Sequence, residues 1–266
     1  MRSNIRHILG PDAPQVQVNR LARAAFGSVA YNVHDLFRLP ALTAAQLESM
    51  VEVQGWENVV TALSLGRGIV MTSAHFGNAE MVVAALLGRG LSITIPAERI
   101  RPPQLYAYLT RLRTSWGLKV LPVDGPLAGL LRTLRHGGVV GIAADRLIGG
   151  KGRRVELFGQ PAWLPDGHVR LAMLSGAPLM LGFSQRTARR DCVARFWPHF
   201  CIPAGGSEDE RLAAGMAYVV SGLESALREH PEQWAVTVPV WPSSKQEQIK
   251  LSNGQQVHHH RHDLTL

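Results

Sequence analysis

The chain has 266 residues, 46% of them hydrophobic, which is enough to bury one substantial core, and an α/β chain of this length commonly folds as a single domain. Its two cysteines, Cys192 and Cys201, exclude a disulfide framework, have no neighbouring histidine at zinc-site spacing, and read as ordinary reduced thiols. The formal charge of +8, carried mostly by arginine, favours an anionic partner without choosing between lipid headgroups, phosphate-bearing cofactors and nucleic acid.

In chain order, the first fifty residues read as helical: Val18, Leu21, Ala22, Ala25 and Phe26 recur at helical spacing before the turn Leu39-Pro40. Thr43 is then a cap for a short helix ending near Met50. A helix over 56–65 runs into Gly66-Arg67-Gly68, and the apolar run 69–71 follows as a buried strand. The alternation continues with a helix over 78–87, a strand at 91–95, a helix over 103–116, a strand at 118–121, a helix over 127–135 and a strand at 139–143. Farther on, 154–158 reads as a strand, Pro165 opens a helix through Leu174, 179–185 and 193–197 look extended, and 208–230 is a long amphipathic helix. Short apolar runs alternating with amphipathic helices predict an α/β fold, with a mostly parallel central sheet covered by helices on both faces and a helical N-terminal segment.

No internal repeat or linker interrupts residues 1–242, which read as one domain, and the polar, histidine-containing stretch 243–266 reads as a disordered tail. No stretch approaches the roughly 18 uninterrupted apolar residues of a spanning helix. Residues 1–10 lack the apolar centre of a signal peptide, so the chain is expected to be soluble or peripheral.

Chemistry-bearing residues concentrate after the first strand, where His75-Phe76-Gly77-Asn78-Ala79-Glu80 leads from β-structure into a helix, the usual place for a site in an open α/β sheet. With His75 on the turn and Glu80 in the first helical turn, the carboxylate can approach one imidazole nitrogen while the other faces a substrate. A neutral histidine so placed can take a proton from an attacking hydroxyl. A bare histidine-to-glutamate spacing of this kind is more often a capping or core histidine beside an unrelated surface carboxylate, so the weight rests on context.

That context is a resemblance. HFGNAE is similar to the HxGNW(D/E) block of the bacterial lipid A late acyltransferases and the mycobacterial phosphatidylinositol mannoside acyltransferases, although Ala79 stands where the family usually has Trp. In the same order, Leu39-Pro40, Gly66-Arg67-Gly68, Asp145-Arg146, residues 155–162, Gly176-Ala177-Pro178 and His230-Pro231-Glu232-Gln233-Trp234 also resemble that family, over roughly residues 15 to 240. The stretch 97–102 with Tyr106, Arg111 and Arg113 looks closer to the mannoside branch.

The resemblance implies an O-acyltransferase of the HxxxxE type that moves a fatty acyl group from an acyl thioester, acyl-CoA or acyl carrier protein, to a hydroxyl of a membrane glycolipid or phospholipid. It carries over His75 as catalytic base, Glu80 as the acid of the block, Glu98 as the alternative orienter and Arg113 as a substrate-contacting cation. Backbone N–H groups around Gly77 and Asn78 suit a tetrahedral oxyanion. Asp145 and Arg146, at another strand end, either line the same pocket or form a structural ion pair. Arg99, Arg101 and Arg111, with Arg113, could form a phosphate-binding face, but each alone reads first as part of a solvated helix face. Leu105, Leu109, Leu112 and Trp116 read first as core, and the same stripe could instead line an acyl-chain tunnel, which the sequence does not separate from it.

No cofactor or metal is expected, nor any specific nucleic acid. The expected surroundings are an anionic membrane surface and the cytoplasmic face of the bacterial inner membrane, with peripheral attachment. The competing classes are a thioester or lipid hydrolase, for which the sequence offers no GxSxG elbow, and a non-catalytic basic lipid- or nucleic-acid-binding protein, for which it offers only charge.

Overall fold

The structure, a computed structural model, describes residues 1–148, 152–187 and 191–242. The polar tail from 243 and the glycine-lysine stretch 149–151 lie outside the described residues.

The N-terminal part is helical as the spacing predicts: α1 (Arg2–Leu9), α2 (Gln15–Arg38) and α3 (Ala44–Met50). Thr43 opens α3 through a capping box with Gln46, each satisfying the other's free amide. The alternating region follows as β1 (Val51–Gln54), α4 (Trp56–Ser64), β2 (Ile69–Ser73), α5 (Ala79–Gly88), β3 (Ile93–Ala97) and α6 (Pro103–Thr114). It continues through β4 (Lys119–Pro122), α7 (Ala128–Arg135) and β5 (Val139–Ala143), then β6 (Arg153–Leu157), β7 (Gln160–Leu164) and α8 (Gly167–Ser175). The last elements are β8 (Leu179–Arg186), β9 (Cys192–Phe196) and α9 (Glu208–Glu229), the latter opened by a second capping box between Ser207 and Glu210.

The main sheet has seven strands in the order β1-β9-β8-β2-β5-β3-β4, with every neighbouring pair parallel except β8 and β9. The sequence misses two elements, β1 and β7. The first is only four residues long and pairs on one side, and the second contains Pro161. Strands β6 and β7 form a separate antiparallel hairpin that turns at Phe158 and Gly159, both with positive φ.

Alternate residues along the central strands point to opposite faces and feed two cores. Val70, Val140, Leu179, Leu181 and Phe183 pack with α7, α8, α9 and the segment carrying Trp234, Val236, Val240 and Trp241. Ile69, Met71, Val139 and Met180 pack with α4 and α5 on the other face. The mostly parallel, doubly covered sheet is therefore as expected. Of the described cysteines, Cys192 is buried, its thiol pushed up to about 11 by burial, and Cys201 is exposed; both are free.

One expectation is overturned. The stripe Leu105, Leu109 and Leu112 is not core, because α6 lies against β4 at the edge of the sheet and buries none of its residues. Trp116, just beyond that helix, is only partly buried and lines a groove with Leu47, Ala84 and Leu87.

Candidate active site

Strand register builds the site. β2 and β5 pair in parallel with Ser73 opposite Ala143, so the residues two places beyond each, His75 and Asp145, emerge side by side at the carboxyl ends of the strands. His75 Nδ1 lies 2.8 Å from Asp145 Oδ1, and the His75 backbone N–H donates to Asp145 Oδ2 at 2.7 Å. The indole N–H of Trp234 donates to the same Oδ2 at 2.8 Å. Asp145 is 1% exposed, so its carboxylate is held entirely by protein donors.

An ionised carboxylate only accepts, so the imidazole hydrogen sits on Nδ1 and the lone pair on Nε2. Nε2 has no hydrogen-bond partner among the described residues, and the ring, though packed around by protein, keeps 41% of its side-chain surface open. The charge of Asp145 raises the His75 pKa above its ordinary value; desolvation works against this, the hydrogen bond to Asp145 and the field of Glu98 add to it, and Arg146 opposes it. Burial alone would raise the Asp145 pKa, but the charge of His75 and the donors from its ring, from Trp234 and from the His75 amide together hold it below the ordinary carboxylate value.

The chain matches the model of the bacterial lipid A biosynthesis acyltransferase family over residues 1–242. It belongs to that family. It is 28% identical over 249 residues to the phosphatidylinositol mannoside acyltransferase of Mycobacterium tuberculosis, covering 91% of this chain and 76% of that one. To the enzyme of the same name from Mycolicibacterium smegmatis it is 31% identical over 183 residues, 67% of this chain and 60% of the other. Among solved structures it is similar to the 1-acyl-sn-glycerophosphate acyltransferase of Thermotoga maritima, with 16% identity, 85% of this chain and 98% of that chain covered, and a TM-score of 0.40.

Within this acyltransferase, the block acids stand elsewhere than the spacing suggests. Glu80 Oε1 accepts from Arg113 Nε at 2.9 Å and from its Nη2, while Glu98 Oε2 accepts from Arg146 Nη2 at 2.6 Å. Neither reaches the His75 ring by a hydrogen bond; Asp145 occupies that position. Asp145 in turn is too deeply buried to contact a substrate, which corrects its placement in the binding set. Arg146 spends one of its five donors on Glu98 among the described contacts and lies close enough to influence His75.

Gly77 and Asn78 are also internal. The Gly77 N–H donates to the Gln233 carbonyl at 3.0 Å, which removes it as a free oxyanion donor. Asn78 is fully buried, caps α5 through Met81 N at 3.2 Å and donates from Nδ2 to Asp35 at 2.7 Å. Gly77 itself is required: its φ is +57°, and a Cβ there would overlap the Ser184 carbonyl. Sequence reasoning missed Trp234 as a partner of Asp145. The only signal was its place in the His230–Trp234 block; the turn at Pro231–Gln233 carries the chain back over the His75 loop, where Ala235 N donates to His75 O at 2.7 Å.

Proposed function

We propose that the protein transfers a fatty acyl group from an acyl thioester, acyl-CoA or acyl carrier protein, to a hydroxyl of a membrane glycolipid or phospholipid, with His75 as general base oriented by Asp145. The observation that carries this reading is the tautomer: Nδ1 is tied to a buried carboxylate while Nε2 is open. Nε2 takes the acceptor proton as the oxygen attacks the thioester carbonyl. The tetrahedral intermediate collapses with cleavage of the C–S bond, and the imidazolium returns the proton to the departing thiolate. Arg146 is the cation best placed to meet negative charge beside His75; Arg113, held by Glu80, is a second candidate contact for phosphate.

The names of the mannoside acyltransferase relatives favour a glycolipid acceptor. Peripheral contact with an anionic membrane is supported by α2; the cytoplasmic side follows only from where thioester donors are made. Phe26, Val33 and Phe37 of α2 share one exposed side by their spacing, with Arg20, Arg23 and Arg38 on the same helix. No helix of the described residues is long and apolar enough to cross a membrane.

The test is incubation of wild type and His75→Ala with radiolabelled palmitoyl-CoA, or palmitoyl-acyl carrier protein, and a bacterial total lipid extract. A labelled glycolipid or phospholipid that requires His75 is the expected product. Label released only as free fatty acid overturns transfer in favour of hydrolysis, and turnover retained by His75→Ala overturns the base.

A further inference from the structure

The loop that carries His75 is held at several points. His75 N and O are taken by Asp145 and Ala235, the Phe76 carbonyl by Ser184 Oγ at 2.8 Å, and Gly77 N by Gln233. One side of this loop is fastened by something different in kind, a buried ion pair between Asp35 on α2 and Arg186 at the end of β8. Arg186 Nη2 donates to Asp35 Oδ2 at 2.6 Å, and the two side chains are only 11% and 9% exposed. The same Oδ2 accepts from Asn78 Nδ2, and Arg186 Nη2 also donates, at 3.0 Å, to Asn32 Oδ1, whose amide nitrogen donates to the Gly77 carbonyl. The circuit closes through Gln233: its side chain accepts from Arg186 N at 2.7 Å and donates to Arg186 O at 2.9 Å, and its own carbonyl holds Gly77 N.

A buried ion pair gives little or no net stability relative to apolar side chains of the same volume, because desolvation offsets the attraction. What this pair does supply is direction. Asp35 orients the Asn78 amide so that its oxygen faces the first turn of α5, and Arg186 orients the Asn32 amide so that its nitrogen faces Gly77. We propose that Asp35, Arg186 and Asn32 are positioning residues for the acyl transfer, fixing residues 77 and 78 so that His75 meets the acceptor hydroxyl in reacting geometry. The inference rests on His75 being the acting base, and none of the three touches the reacting atoms.

The test uses the full chain as Asp35→Leu/Arg186→Met, which replaces the pair by apolar side chains of similar size, and as Asn32→Ala, which removes the link to Gly77 together with the Arg186–Asn32 contact but keeps the Asp35–Arg186 pair. Arg153→Met, on a surface pair with Asp209 remote from this network, is the control. The expected result for the double variant is a melting temperature lowered by several degrees, because Asn78 Nδ2 and Asn32 Oδ1 lose their partners. At a temperature where the variant is fully folded, kcat is lowered about 10- to 100-fold, the cost of a reacting group displaced by about 1 Å, with an unchanged KM for the acyl donor. Asn32→Ala shows a smaller fall in kcat of the same kind. In histidine-labelled protein the His75 Nδ1 proton resonance, assigned by its loss in His75→Ala, shifts or broadens in both variants and not in the control.

Unchanged kcat in the folded variants overturns the inference, as does a loss of turnover that merely follows the folded fraction while the resonance stays in place. If wild type transfers no acyl group to any acceptor, the proposed function fails instead. The resonance then decides the positional claim by itself, and an unmoved signal overturns it.

Discussion

His75 and Asp145 differ in what they expose, and their titration should show it. The acting form of His75 is neutral, and its pKa is raised by the neighbouring carboxylate, so kcat/KM should fall as pH drops through a midpoint above 6.5. A pH-rate profile checks this; a midpoint at or below 6.5 would contradict the coupling to Asp145. Asp145→Asn should lower kcat on the order of 10²–10⁴-fold, since an amide that donates to Nδ1 puts the imidazole hydrogen on Nε2 and leaves no lone pair for the acceptor. A second histidine behaves in the opposite sense. His168 is 1% exposed, neither ring nitrogen has a partner among the described residues, and burial lowers its pKa to about 4, with Asp166 opposing. Because the unfolded chain then binds the extra proton from pH 6.5 downward while the native state does not, stability is lost as pH falls from 6.5 towards 4. The loss is about 2 kcal/mol between pH 7 and pH 5. Urea titrations of wild type and His168→Leu at the two pH values should differ by that amount, the variant lacking this part of the acid sensitivity.

At the scale of elements, the turn from β2 into α5 sets the tolerance of the site. Gly77→Ala must place a Cβ against the Ser184 carbonyl while holding a positive φ, so the loop has to lift from β8. The expected outcome is loss of turnover with destabilisation of about 1–3 kcal/mol, read by activity and thermal melting of the same preparation. That a glycine belongs here was visible in the sequence, as was most of the alternation, because β2, β5 and β8 are buried on both faces and read as uninterrupted apolar runs. β7 was not visible, since Pro161 and the adjacent Pro165 suggest a turn leading into a helix, whereas the hairpin partner Arg153–Leu157 that fixes it as a strand is a tertiary fact. The α6 stripe misled for a related reason: apolar spacing reports an apolar face but not whether any other element covers it. The orienting acid was hidden by register. His75 and Glu80 are close in sequence, but only the pairing of Ser73 with Ala143 puts Asp145 beside the ring, and no local pattern states which strand neighbours which.

For the molecule as a whole, α2 connects two surfaces. Its inner side holds Asn32 and Asp35 against the His75 loop, while Phe26, Val33 and Phe37 face outward, with the Phe37 ring 6.0 Å from that of Tyr108 on α6. Leu105 and Tyr108 extend this exposed apolar area across α6, and under the proposed function the bilayer would cover it. An acceptor lipid has to leave the bilayer only far enough for one hydroxyl to reach Nε2, so an apolar surface on the helix that also holds the loop suits the reaction. Its arginine neighbours should make binding depend on anionic lipid and weaken with salt. Phe26→Ser/Phe37→Ser changes two exposed residues and should leave the fold intact. In flotation with vesicles containing phosphatidylglycerol, the variant should bind at least tenfold more weakly than wild type, since each ring withdrawn from the interface forfeits about 1 kcal/mol or more. Turnover with a detergent-dispersed acceptor should be nearly unchanged. Equal binding by the two proteins would show that the exposed rings of α2 do not meet the bilayer, and would leave the basic residues alone to account for attachment.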